Sequence, residues 1–120
     1  MKGFVDKYEQ AVVNIVIIGS RGKIPIKGVI DTGFDGDICL PISIAIQLGL
    51  ELWEMICVEL ADGTKKNELV FDGKIIWDGE EKVVEILLTN SQQALIGTNL
   101  LQDKVLEINF VKKVVEIRQG

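Results

Sequence analysis

The chain of 120 residues contains no histidine. That absence removes Ser-His-Asp and Cys-His nucleophilic machinery and most zinc sites, so any catalysis must run on carboxylates, lysine, hydroxyls or thiols. Cysteine is scarce as well. Cys39 and Cys57 lie in apolar stretches without C-x-x-C spacing, which predicts two buried thiols and no structural disulfide. With two prolines and no Ser- or Gly-rich tract, the chain shows no linker and no disordered tail beyond frayed ends. A net charge of -5 argues against nucleic acid as the main partner, because phosphate binding requires a basic face. No apolar run approaches the roughly 18 residues of a membrane span. The first ten residues, M-K-G-F-V-D-K-Y-E-Q, carry charges where a signal peptide has its apolar segment. The expectation is a soluble cytoplasmic protein without a membrane partner, folded as one domain over residues 1–120.

What is present is β-forming sequence. A-V-V-N-I-V-I-I at residues 11–18 and K-I-P-I-K-G-V-I at 23–30 flank the turn G-S-R-G, and I-C-L at 38–40 precedes Pro41 and a short helix closed by Gly49. Asp-Gly turns are expected at 62–63, 72–73 and 78–79. Thr98 or Asn99 is placed to cap a short helix, and V-L-E-I-N-F and V-V-E-I-R read as a last hairpin turning on Lys112 and Lys113, a solvated turn. Trp53 and Trp77 are read as packing residues. About eight strands with frequent turns and one or two short helices predict an all-β fold, a small closed β-barrel. V-I-D-T-G at 29–33 and L-I-G-T-N at 95–99 look alike, as a weak internal duplication would.

The chemistry concentrates at residues 29–37, V-I-D-T-G-F-D-G-D, where a strand stops at three carboxylates. Burying carboxylates beside an apolar strand is costly. Asp31 falls at a strand end, Gly33 lets the following backbone approach its carboxylate, and Thr32 adds a hydroxyl on a stiff stem. The tripeptide alone reads more readily as a turn than as a site. A calcium loop over Asp31, Asp35, Gly36 and Asp37 fits poorly, because Gly33 and Ile42 occupy its third and twelfth positions.

The longer stretch G-V-I-D-T-G-F-D-G-D-I-C-L-P resembles the active-site segment of the retropepsin-like aspartic proteases, the single-lobe family that includes the retroviral enzymes. L-I-G-T-N-L-L followed by L-E-I-N-F is similar to the family's second element, and A-D-G-T lies where the family has its flap hairpin, so the resemblance runs over about residues 10–118. It implies the acid-protease barrel, Asp31 as catalytic aspartate, Thr32 interlocking with a partner's threonine and Gly33 donating its N–H near the carboxylate. It further implies that Asp35 holds substrate backbone, that Asp62, Gly63 and Thr64 form the flap tip, and that Gly97 packs behind the D-T-G loop. The sequence departs from the retroviral pattern at Thr98, where arginine would pair with Asp35.

Aspartic protease chemistry needs two adjacent carboxylates sharing a proton, and this chain has a single D-T-G and no D-S-G. The resemblance therefore implies a homodimeric endopeptidase acting on peptide or protein, without cofactor or metal, with the terminal strand V-V-E-I-R pairing across the twofold axis. The alternative is a catalytically silent barrel that binds peptides or associates with itself.

Overall fold

The computed structural model describes the backbone of all 120 residues and the side chains of all but residues 51–54, so the packing expected of Trp53 lies outside the described residues. Ten strands form where about eight were expected. They are β1 (Lys2–Val5), β2 (Ala11–Gly19), β3 (Gly22–Ile30), β4 (Ile38–Pro41), β5 (Glu51–Glu59), β6 (Lys65–Trp77), β7 (Glu80–Thr89), β8 (Ala94–Ile96), β9 (Lys104–Asn109) and β10 (Val114–Gln119). One helix, α1 (Ile42–Leu48), follows β4, and a 3₁₀ turn at Thr98–Leu101 follows β8. The N-terminal strand β1 is held by backbone pairing on both edges, to β2 and to β10, which local sequence cannot reveal.

Six strands close a barrel in the order β6-β7-β4-β8-β3-β2, and β2 returns to β6 through Val16–Ile76, Ile17–Ile75 and Ile18–Lys74. The other half of the same β2 edge carries β1, then β10 and β9. Along β2 the side chains of Val13, Ile15 and Ile17 point inward while Asn14 is exposed, the two-residue period of a strand with one buried face. They meet Ile38, Leu40, Ile75, Ile86, Ile96 and Leu100, all fully buried. Each such side chain contributes about 2 kcal/mol of burial, so the core is where the strand order is decided.

Two parallel pairings position the site. β3 runs beside β8 with Val29 opposite Leu95 and Ile30 opposite Ile96, so the two similar segments of sequence lie in the register of their likeness. β4 runs beside β7 from Ile38–Ile86 to Pro41–Thr89 and against β8 on its other edge. At the end of α1, Gly49 adopts φ 63°, the left-handed cap expected of it.

Three turn and cap expectations separate here. Asp78 and Gly79 form the predicted two-residue hairpin loop, both at positive φ (53° and 83°). Asp72–Gly73 is no turn: it lies inside the continuous strand β6, where Asp72 pairs with Glu85 and Gly73 with Val84 of β7, and Gly73 packs against the end of the Ile86 side chain. Gly97, not Thr98 or Asn99, is the N-cap of the 3₁₀ turn, and no side chain caps it.

The cysteines divide. Cys39 on β4 is half-buried, but Cys57 is exposed, because the outer part of the β5–β6 hairpin extends beyond the barrel and also leaves Met55, Leu60 and Leu69 exposed. Trp77 is buried as expected. Lys113 is more than a solvated turn residue, since its ammonium meets Glu9 Oε1 at 2.6 Å. β10 is paired along its length with β9 and over Val114–Glu116 with β1, so the strand expected to pair across a twofold axis has those edges filled within the chain.

Candidate active site

Asp31 extends the β3–β8 ladder by one rung, its N–H donating to the Ile96 carbonyl at 2.9 Å. The chain then turns sharply. Phe34 N–H donates back to Asp31 O at 3.1 Å, and Gly33 N–H donates to Asp31 Oδ1 at 2.9 Å. A Cβ on Gly33 would stand 3.2 Å from that oxygen, so glycine permits the approach. Asp31 is half-buried, Thr32 and Gly33 are exposed, and Asp31 Oδ2 has no hydrogen-bond partner among the described residues. One carboxylate oxygen is oriented while the other is left open, an arrangement suited to holding water.

The segment after β8 braces this loop from behind. Gly97, Thr98 and Asn99 donate their N–H groups to Asp37 O (2.8 Å), Phe34 O (2.8 Å) and Gly36 O (3.2 Å). Gly97 sits so close that a Cβ would overlap the Gly36 carbonyl and lie 2.8 Å from Phe34 Cδ2, the packing role expected of it. Side chains add to the backbone contacts: Asn99 Nδ2 donates to Asp37 Oδ1 at 2.6 Å, and Glu85 N–H donates to Asp37 Oδ2 at 3.0 Å. Asp37 thereby joins the loop to the 3₁₀ turn and to β7.

Asp37 is the residue that sequence reasoning undervalued, having considered it only as one position of a poor calcium loop. The signal was Asn99 in I-G-T-N, an amide with a carboxylate to find. Asp35 is exposed and has no hydrogen-bond or ion-pair partner among the described residues, and Thr98 Oγ1 faces Phe34 O at 3.4 Å instead. With Asp37 turned to Asn99 and Glu85 and Asp35 exposed, the three carboxylates of the cluster have separate surroundings.

Asp62, Gly63 and Thr64 lie at the tip of the β5–β6 hairpin. Gly63 takes φ 87°, Leu60 N–H donates to Thr64 O at 2.7 Å, and Asp62 Oδ1 accepts from Thr64 Oγ1 (2.6 Å) and Thr64 N–H (3.0 Å). The Thr64 hydroxyl first, and its N–H second, hold the Asp62 carboxyl below its ordinary range. The structure thus brings Asp31, Thr32, Gly33 and Asp35 onto one braced loop and puts Asp62–Thr64 on a separate hairpin with no hydrogen bond to that loop among the described residues. A cavity of about 430 Å³ between Ser20, Leu50 and Lys74 includes none of these residues, whereas a groove of about 360 Å³ opens beside Asp31 and Thr32.

No protein-family model matches the chain, and no curated protein matches it in sequence. Solved structures do. A retropepsin-like aspartic protease from Rickettsia conorii superposes with a TM-score of 0.65 at 20% identity, over 98% of this chain and 88% of that one. The EIAV protease, solved with the inhibitor HBY-793, superposes with a TM-score of 0.61 at 16% identity, over 82% and 90% of the two chains. The simian foamy virus protease gives a TM-score of 0.52 at 15% identity, over 72% and 89%. With its six-stranded closed barrel and the strand-borne Asp31 loop braced by Gly97, the chain has the retropepsin-like fold.

Proposed function

We propose that the protein is an aspartic endopeptidase that works as a homodimer, each copy supplying one Asp31. One carboxylate removes a proton from water as the water oxygen attacks the peptide carbonyl carbon. The other gives its proton to the carbonyl oxygen. Collapse of the tetrahedral intermediate, with a proton passed to the amine, then breaks the C–N bond. The observation that carries this reading is the Asp31 carboxylate itself, with one oxygen fixed by Gly33 N–H, the other unpartnered among the described residues, and the loop braced from behind. A module that only binds peptide gains nothing from such an arrangement, and the aspartic proteases among the structurally similar proteins support the same choice.

In this reading Thr32 interlocks with its copy at the base of the site, Asp35 and the hairpin tip Asp62–Thr64 receive the substrate backbone, and the substrate is peptide or protein. The test is mass-spectrometric detection of cleavage in a mixed peptide library from acid to neutral pH, comparing the protein with Asp31→Asn. Cleavage that disappears in the variant is expected, with a rate that passes through a maximum because the pair must hold one proton. A dimeric protein that cleaves nothing would overturn the reading in favour of a binding module.

A further inference from the structure

The core-facing rows of three strands end around one indole. In β7, Glu80 and Lys82 are the cross-strand partners of Trp77 and Ile75, so they share the face that carries the buried Val84 and Ile86. Lys104 begins the row of β9 that continues through Leu106 and Ile108, and its partner Gln119 ends the row of β10 that holds Val115 and Ile117. These four polar side chains and Trp77 line a cavity of about 280 Å³ that shares no residue with the groove beside Asp31. Trp77 is 5% exposed, and its indole N–H is buried without an acceptor among the described residues. Around it Glu80, Lys82, Lys104 and Gln119 make no side-chain hydrogen bond or ion pair among the described residues. Asp78 and Glu81 also touch the cavity, but Asp78 already meets the amino terminus at 3.4 Å, and Glu81 belongs to the alternate row of β7.

We propose that this cavity binds a small carboxylate that also carries a hydrogen-bond donor, a hydroxy acid or an amino acid. A buried indole N–H without an acceptor is unfavourable, and an incoming carboxylate oxygen supplies one. Lys82 and Lys104 match the charge of the carboxylate, and the Gln119 amide offers a further donor. Glu80 sets the other half of the ligand. Opposite charges around one cavity that do not pair leave room for a molecule to bridge them, with its hydroxyl or ammonium toward Glu80 and its carboxylate toward the lysines. The same glutamate, with Asp78 and Glu81 nearby, disfavours a doubly charged phosphate. The indole N–H is closed to solvent, so the ligand reaches it when the exposed Lys82 or Gln119 side chain turns aside, a fast motion for exposed side chains. The site is separate from the peptidase chemistry, and its test does not depend on that reading.

The Trp77 indole N–H resonance, identified by NMR as the one retained in Trp53→Phe, reads the site directly. Titration with lactate and with alanine should shift it saturably, and both should bind at least about tenfold more tightly than acetate, which has no donor for Glu80. Replacing both lysines, Lys82→Gln with Lys104→Gln, is expected to weaken lactate binding at least about tenfold. Lys74→Gln alters an exposed lysine on β6 that lines a different cavity, and should leave binding as it was. Unchanged circular dichroism establishes that the double variant remains folded. A resonance that neither lactate nor alanine shifts saturably would overturn the inference, because the indole N–H would then be reached by water alone or by nothing. So would lactate binding that survives the loss of both lysines, or acetate bound as tightly as lactate. Inorganic phosphate that shifts the resonance where lactate and alanine do not would replace the carboxylate site with a phosphate site.

Discussion

Asp37 and Asn99, 62 residues apart in sequence, are joined at 2.6 Å between carboxylate oxygen and amide nitrogen, and the second Asp37 oxygen accepts from Glu85 N–H. Three separated segments therefore share one anchor immediately after the candidate catalytic loop. In the retroviral pattern an arginine would make a related brace to the residue in the place of Asp35. Here the brace is an amide to a different carboxylate, and Asp35 is left exposed.

Asp37→Ala should cost about 0.5–1.5 kcal/mol in urea denaturation, because it removes two hydrogen bonds made at the surface, where water takes over part of their role. The reversed pair, Asp37→Asn with Asn99→Asp, keeps one acceptor for Glu85 N–H and restores a donor and acceptor between the two side chains. It should recover at least about 0.5 kcal/mol relative to the sum of the single changes. Purely additive costs would show that the two side chains do not act together.

Gly97 and Gly63 should respond differently to alanine. At Gly97 the new methyl would meet the Gly36 carbonyl, backbone that cannot move without breaking the bonds behind the Asp31 loop, so Gly97→Ala is expected to cost more than about 2 kcal/mol. At Gly63 nothing lies within 4 Å, and only the positive φ opposes the change. About 1 kcal/mol or less is expected there, with no effect on the core. Thermal unfolding of the two variants side by side checks this.

The parts of this structure that were legible in the sequence are those whose signal is local. D-T-G announces a loop at a strand end because three adjacent residues each meet one of its needs, and Asp78–Gly79 announces a hairpin because both positions take positive φ. Gly97 was also legible, through the resemblance of L-I-G-T-N to a family element. What stayed hidden depends on partners distant in the chain. β1 is a strand because β2 and β10 flank it, and the Asp37–Asn99 bond joins two ordinary polar residues that only the β3–β8 register brings together. Asp72–Gly73 misleads for a different reason: the same two letters serve a turn or a strand interior, and only the continuous pairing of β6 with β7 through them tells the two apart.

The two thiols should be distinguishable by rate. Cys57 is exposed on the β5–β6 hairpin, whereas burial, and secondarily the charge of Glu68, push the Cys39 thiol above its ordinary 9.0. One fast-reacting thiol per chain is expected with a disulfide reagent near neutral pH, and Cys57→Ser should remove it. Two equally fast thiols in the native protein would contradict the half-buried position of Cys39.

The hairpin tip offers a pH test with a definite sign. Asp62 is lowered from its ordinary 3.8, chiefly by the Thr64 hydroxyl and then by the Thr64 N–H. A carboxyl depressed in the folded state favours the turn while it is ionised. That contribution is present above about pH 3.8 and is lost as the pH falls through the lower folded value. The group is fully solvent-exposed, so the effect should be confined to the turn and leave global stability almost unchanged. Carboxyl resonances followed by NMR should place the Asp62 midpoint below 3.8. Thr64→Val removes the hydroxyl donor but keeps the N–H, so it should raise the midpoint without returning it fully to the ordinary value. A midpoint unmoved by Thr64→Val would mean that the hydroxyl bond does not hold the turn in solution. Under the proposed peptidase reading, in which the tip helps hold the substrate and the barrel and the Asp31 loop are untouched, Thr64→Val is expected to raise KM for peptide cleavage with little change in kcat.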